Sequence, residues 1–356
     1  MRATPARSAA EVTGADGAAA SRGARGRSRR LLPLTAAVAL ALTASGCVTV
    51  HGEREVIPAT SPAGAARALT DFLAAYNEAD EANDPSLDAD RVTGALGAID
   101  RGTLRARRAT APLGNPQHVP LKLTDVKYAI PETAGWPKFF LADTDSDRDV
   151  DDDPARDTRW LLVFTKTGPD ARWQVAFLTI LSPDEVPELR TRDGDRGEDL
   201  AAPVALDADD LTVPPEELAE RYTTYLAKGG PGFLPGPHTD RWRTERERGA
   251  TRPGLSRQYV DQPVEGAGFA PVGLRTADGG ALVFFATRHF EKQTVARGRD
   301  LKLGADVRAL LRGDAKQSVT LEFTSNQAVR VPPRAEPGKG IEVLSRIQGL
   351  TGAKGE

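Results

Sequence analysis

The sequence has one cysteine, one methionine and four histidines in 356 residues. A single cysteine excludes an intrachain disulfide and every CxxC-type zinc or iron–sulfur site. The histidines (His51, His118, His238 and His289) are scattered, with no HExxH or HxH spacing. There is no GxSxG elbow and no P-loop. No apolar run reaches the ~20 residues that a membrane-spanning helix needs. Charge of one sign is also lacking: 47 Lys plus Arg stand against 50 Asp plus Glu, a net of −3, which gives no reason to expect a nucleic-acid partner. No catalytic residue, metal ligand or cofactor-binding residue is therefore assigned. The length implies about two domains.

What is there begins with an export segment. Residues 1–30 carry seven arginines and only two acids, Glu11 and Asp16. Four arginines (Arg25, Arg27, Arg29, Arg30) precede a 12-residue apolar run, Leu31 to Leu42, which suits the core of a signal peptide. Small residues follow, and then Cys47. Ala44-Ser45-Gly46-Cys47 resembles the bacterial lipobox, with Ala44 where the pattern prefers Leu. The resemblance implies diacylglycerol on the Cys47 thiol, cleavage before it, and removal of residues 1–46. Two acyl chains hold a protein stably on a bilayer, where one holds it marginally. The remainder has 40 basic and 48 acidic residues, a net of −8, so the lipid and not a basic patch would hold it there. Residues 47–61 read as a tether.

Ser61-Pro62 is a helix start, followed by Ala65, Leu69, Phe72, Leu73 and Tyr76 on one face. A second helix is expected over about 87–108, with Val92, Leu96 and Ile99 in its stripe and a basic end suited to a helix C-terminus. Strands are expected over 120–130, 138–142, 159–167 and 172–181 from their β-branched and aromatic runs. Residues 183–211 have almost no apolar periodicity and read as a linker. Helices are then expected from about 212, with Leu218, Tyr222, Tyr225 and Leu226 on one face, and over 238–248. Strands are expected over 270–276, 281–290, 292–296, 319–324 and 328–331. Asp278-Gly279-Gly280 is a hairpin turn. Residues 333–356 read as a Pro/Gly-rich tail with one apolar patch.

The expected class is α+β, with two domains at 62–182 and 212–332 that repeat one order: helix, helix, antiparallel meander. That order resembles the NTF2-like and cystatin-like domains, in which a helix lies in the concave face of a curved sheet. The whole chain resembles lipoproteins of high-GC actinobacteria, which its Ala/Arg/Asp/Gly-heavy composition fits.

The string Asp143 to Asp153 is the most conspicuous local feature. Alternating carboxylates can surround calcium. An EF-hand loop starting at Asp143 fails at Arg148, where glycine is needed, and at Pro154, where the bidentate Glu belongs. The expectation is a solvated acidic tip that keeps a strand edge from pairing. Of the aromatics, Trp160, Trp173 and Trp242 are expected in the core, and so is Trp136, although its loop-like setting Ala134-Gly135-Trp136-Pro137 also suits a pocket mouth. The functional expectation is a lipid-anchored, extracytoplasmic, non-catalytic binding or scaffold module, in contact with the membrane through its anchor. The alternative is an envelope enzyme of hydrolase type, using the pocket of a cone-like domain and an acid–base group such as His289.

Overall fold

A computed structural model describes residues 55–151, 153–193, 199–336 and 338–356. The export segment, Cys47 and His51 lie outside them. The described residues belong to one compact unit, Arg54–Glu356. No helix among them is long and apolar enough to cross a membrane.

Helix α1 (Pro62–Ala82) starts as the sequence predicts: Ser61 Oγ accepts from Gly64 N at 3.1 Å, and Pro62 opens the first turn. Asn83 ends it in the left-handed region. Helix α2 (Gly94–Thr110) begins later than expected, because Val92 is taken into a bridge with Val175. The first half's strands are β1 (Val56–Pro58), β2 (Leu123–Ala129), β3 (Glu132–Ala134), β4 (Lys138–Ser146), β5 (Arg159–Lys166) and β6 (Gln174–Leu181). Strands β1 and β3 pair with each other, and the other four form an antiparallel sheet in the order β2-β4-β5-β6.

The segment 183–211 contains the short hairpin β7 (Thr191–Asp193) and β8 (Asp199–Ala201). It is stitched to the second half: Arg190 N donates to Arg275 O at 2.9 Å and Val204 N to Gly273 O at 3.0 Å. Leu200, Ala201 and Leu211 are buried.

The second half contains α3 (Leu218–Lys228), α4 (Asp240–Ala250), β9 (Thr251–Arg252), β10 (Leu255–Pro263), β11 (Val272–Arg275), β12 (Ala281–Val295), α5 (Ala305–Leu310), β13 (Leu311–Arg312), β14 (Ser318–Val331) and β15 (Glu342–Gly355). Its seven-stranded sheet runs β13-β15-β14-β12-β10-β9, with β11 also on β12. Strand β10 has no counterpart among the expected strands. The residues expected as a tail instead form the 14-residue strand β15. Gly349 and Gly352 weaken its strand signature, and Gly349 is there for a reason: a Cβ on it would stand 2.6 Å from Ile99 Cγ2 of α2.

Period-2 alternation sorts each sheet into two faces. Phe140, Ala142, Leu162 and Phe164 pack under α1. Leu141, Leu161, Val163 and Phe177 point the other way and share a core with Leu282, Phe284, Ala286 and Ala328 of the second sheet. The opposite face of the second sheet carries Val283, Phe285, Val329 and Val343, which pack on Leu218, Tyr222 and Leu226 of α3. The result is four layers: α1, the first sheet, the second sheet, then α3 with α4. The class is α+β.

Candidate functional site

On the helix-covered face of the second sheet the apolar pattern breaks. Continuing β12 beyond Phe285 on that face gives Thr287 and His289, and continuing β14 back from Val329 gives Gln327, Ser325 and Phe323. Register places Thr287 opposite Ser325 and His289 opposite Phe323. Gln327 pairs with Arg346 of β15, and His289 with Asp261 of β10. A strip of polar side chains thus crosses four strands on one face.

The strip is buried: Gln327 and Ser325 are fully enclosed, Thr287 and His289 nearly so. Gln327 Nε2 donates to Thr287 Oγ1 and to Ser325 Oγ, each at 3.0 Å, and the two hydroxyls lie 3.0 Å apart. Next to them Arg346 Nη2 faces His289 Nδ1 at 3.4 Å, so that nitrogen accepts and the imidazole is neutral. Burial, then the Arg346 and Arg246 charges, push the His289 pKa down to about 2. The ring also stacks on Phe323, centroids 4.7 Å apart.

Helix α4 closes the strip. Trp242 and Arg246 are four residues apart and share a face. Arg246 Nη1 donates to Asp261 Oδ2 at 2.7 Å, with the side chains 8% and 5% exposed. The Arg246 guanidinium lies 5.0 Å from the Trp242 ring and 4.8 Å from the Tyr259 ring, and the Arg346 guanidinium 4.4 Å from Trp242. Burial lowers the Arg346 pKa to about 10 and raises that of Tyr222 to about 12, so near neutrality the first is charged and the second is not. Tyr222 Oη donates to His238 O at 2.6 Å.

His289, the one acid–base group named from the sequence, is therefore an acceptor locked in this strip. His118 is elsewhere, with Nδ1 2.8 Å from Asp80 Oδ2. Trp242 joins the strip, while Trp136, expected in the core, is 39% exposed, with the ammonium groups of Lys138 and Lys166 over its ring. Sequence reasoning missed Arg246, Asp261, Gln327 and Arg346. The available signal was the polar run Ser325-Asn326-Gln327, which interrupts what is one continuous strand.

In the acidic string, one carboxylate oxygen each from Asp145, Asp149 and Asp151 lie within 4.8 Å of one another, a grouping that can hold a cation. Asp143 does not join them, being bonded to Arg159 Nε at 2.7 Å, and Asp147 accepts from Lys122 N at 3.0 Å. A third titratable cluster lies beside α1 and α2. Asp88 is fully buried, and neither of its oxygens has a hydrogen-bond partner among the described residues. Burial, and then Asp100 beside it, raises its pKa, and burial does the same to Asp100, so the pair retains a proton.

The chain is 50% identical over 338 residues to an "Uncharacterized lipoprotein" of Streptomyces avermitilis, covering 94% of this chain and 98% of the relative. It is 50% identical over 336 residues to an uncharacterized lipoprotein of Streptomyces coelicolor, covering 93% and 98%. Another from that species is 28% identical over 339 residues, covering 88% of this chain and 92% of the relative. No solved structure matches. A family model described as "Domain of unknown function (DUF8094)" matches residues 56–355, nearly all of the described fold. The chain belongs to the DUF8094 family.

Proposed function

We propose that this chain is a lipoprotein held on the extracytoplasmic face of the cell membrane by diacylglycerol on Cys47, and that its folded part is a non-catalytic binding module of the cell envelope. The observation that carries the reading is Cys47 directly behind an apolar export segment, in a chain 50% identical over 94% of its length to a protein named a lipoprotein. Residues 1–46 are then removed and residues 47–61 tether the fold to the bilayer.

The two halves read as tandem helix-plus-curved-sheet units of NTF2-like or cystatin-like kind, 62–182 and 212–332, the second with strand β15 added to its sheet, set back to back. In such units the helix-covered face of the sheet is where a ligand sits, and the buried polar strip lies on that face. Its chemistry favours binding over catalysis. His289 cannot take up a proton near neutrality, and Asp261 is committed to Arg246. Neither is poised for general acid–base work.

The test is made in a Streptomyces host. The wild-type chain should fractionate with membranes, incorporate labelled palmitate, and have an intact mass showing loss of residues 1–46 and gain of lipid. Cys47→Ala should be released and unlabelled. A Cys47→Ala chain that stays on the membrane while the wild type carries no lipid mass removes the anchor from the reading.

A further inference from the structure

We propose that Arg246, Arg346 and Trp242 form a binding site for an oxyanion, a carboxylate or phosphate group, taken chiefly on the free edge of the Arg246 guanidinium. The inference rests on the reading of the fold as a binding module and names the chemistry of what it binds.

The first argument is charge. The strip brings together two guanidiniums, Arg246 and Arg346, but one carboxylate, Asp261. The other groups near them do not supply a second negative charge. His289 is neutral and Tyr222 keeps its proton. Glu291, two residues along β12, is paired with Arg257 at 3.0 Å. One positive charge is left without a counter-charge, and a buried charge is tolerated only when it is paired and hydrogen-bonded.

The second argument is geometry. Arg246 is nine-tenths buried, and only its Nη1 is used, by Asp261. Its Nε and Nη2 have no hydrogen-bond partner among the described residues. Those two N–H groups lie on the same edge of the planar guanidinium, parallel to each other, the arrangement that grips two oxygens of a carboxylate or phosphate at once. Arg346 Nε and Trp242 Nε1 are likewise without partners, and both guanidiniums lie within 5.0 Å of the Trp242 ring. Trp242, Tyr259 and Arg346 keep some exposed surface, whereas Arg246 Nε and Nη2, Arg346 Nε and Trp242 Nε1 are themselves closed off from solvent, so an oxyanion reaches them by displacing side chains at this end. A spherical ion such as chloride offers the fork one acceptor where a carboxylate or phosphate offers two aligned oxygens, so the site should favour oxyanions over it.

The test uses the full chain purified in detergent, titrated with sodium benzoate, with phenyl phosphate, and with sodium chloride at equal ionic strength. Melting temperature and tryptophan fluorescence are the readouts. At least one oxyanion should give a saturable rise in melting temperature that chloride does not. Benzoate alone acting identifies a carboxylate, phenyl phosphate alone a phosphate, and both acting a general oxyanion site. Arg246→Lys, which keeps the charge and loses the fork, should weaken binding by roughly tenfold or more. Arg346→Gln should also weaken it, and it leaves the Arg246–Asp261 pair intact, so it carries the test if Arg246→Lys does not fold. Arg221→Gln, on the exposed side of α3, should bind as the wild type does. Two results overturn the site: no oxyanion exceeding chloride, or wild-type affinity in a folded Arg246→Lys or Arg346→Gln chain. Release of phenol from phenyl phosphate would instead remove the non-catalytic reading and leave the site standing.

Discussion

Arg246 and Asp261 form a buried ion pair across the helix–sheet boundary, with Nη1 and Oδ2 2.7 Å apart. Both charges were taken out of water, so breaking the pair from one side strands the other. Asp261→Ala leaves two guanidiniums with no carboxylate in the strip and should lower stability by about 3–5 kcal/mol in urea denaturation. The pair Arg275–Asp210 has the same 2.7 Å separation, but its carboxylate is 61% exposed. Asp210→Ala should therefore cost at most about 1 kcal/mol. Equal losses in the two variants would show that burial is not what sets the cost.

Close approach of α2 to β15 depends on two glycines. A Cβ on Gly102 would come within 2.3 Å of the Leu350 carbonyl oxygen, which is backbone and cannot step aside. A Cβ on Gly349 would meet Ile99 Cγ2 at 2.6 Å, which is a side chain and can be removed. Gly102→Ala and Gly349→Ala should each destabilise, by roughly 1–3 kcal/mol. Adding Ile99→Ala should relieve the Gly349 clash and leave the Gly102 clash in place. The comparison is read from the chemical-denaturation midpoints of the wild type, the three single variants and the two double variants with Ile99→Ala; failure of Ile99→Ala to separate the two glycines would refute the packing argument.

The same glycines explain what the sequence could and could not reveal. Helix α1 was legible because Ser61-Pro62 and the spacing of Leu69, Phe72 and Tyr76 act locally. The strand Phe139 to Ala142 was legible from its run of apolar residues. Strand β15 was not, because its glycines answer to α2, a partner more than 200 residues away in the chain. Strand β10 was missed because its outward positions, Ser256, Gln258 and Gln262, are polar and exposed, while Arg257, Tyr259 and Asp261 on its inner face serve ion pairs and ring contacts in place of an apolar core. The candidate site was hidden for the same reason. A buried polar strip has the composition of a surface, and only pairing across β10, β12, β14 and β15 brings His289, Asp261 and Arg346 onto one face.

The Asp88–Asp100 pair gives a pH dependence of definite sign. Its carboxylates have raised pKa values in the folded chain, against 3.8 in the unfolded one. The folded state therefore binds more protons than the unfolded state. The stability this contributes is fully present below 3.8 and is lost as pH rises through the raised folded values. His289 acts oppositely: its lowered pKa contributes stability above 6.5 that is lost as pH falls toward about 2. Asp88→Asn keeps a donor facing Asp100 without an ionisable proton. Urea midpoints between pH 6.5 and 9, where the His289 contribution is complete, should fall with rising pH in the wild type and be flatter and higher at the alkaline end in Asp88→Asn, with the loss below pH 6.5 retained. A steeper alkaline fall in the variant would overturn the assignment.

Phe177 of the first sheet and Phe284 of the second pack with ring centroids 6.4 Å apart and are almost wholly buried, so the two halves share the core that joins them. Helix α2 adds to the join, since Ala95 enters that core and Leu96 the one beneath α1. If each half were stable alone, Phe284→Ala would move the unfolding of the second half only. A shared core predicts one transition, lowered by about 3–5 kcal/mol, because the cavity opens between the sheets and neither can close it alone. Single-tryptophan chains report the halves separately, Trp173 for the first and Trp242 for the second. Coincident denaturation curves, both displaced by Phe284→Ala, are the expected outcome. A Trp173 curve that stays at its wild-type midpoint while the Trp242 curve moves would mean that the halves fold independently and that their contact is a docking interface.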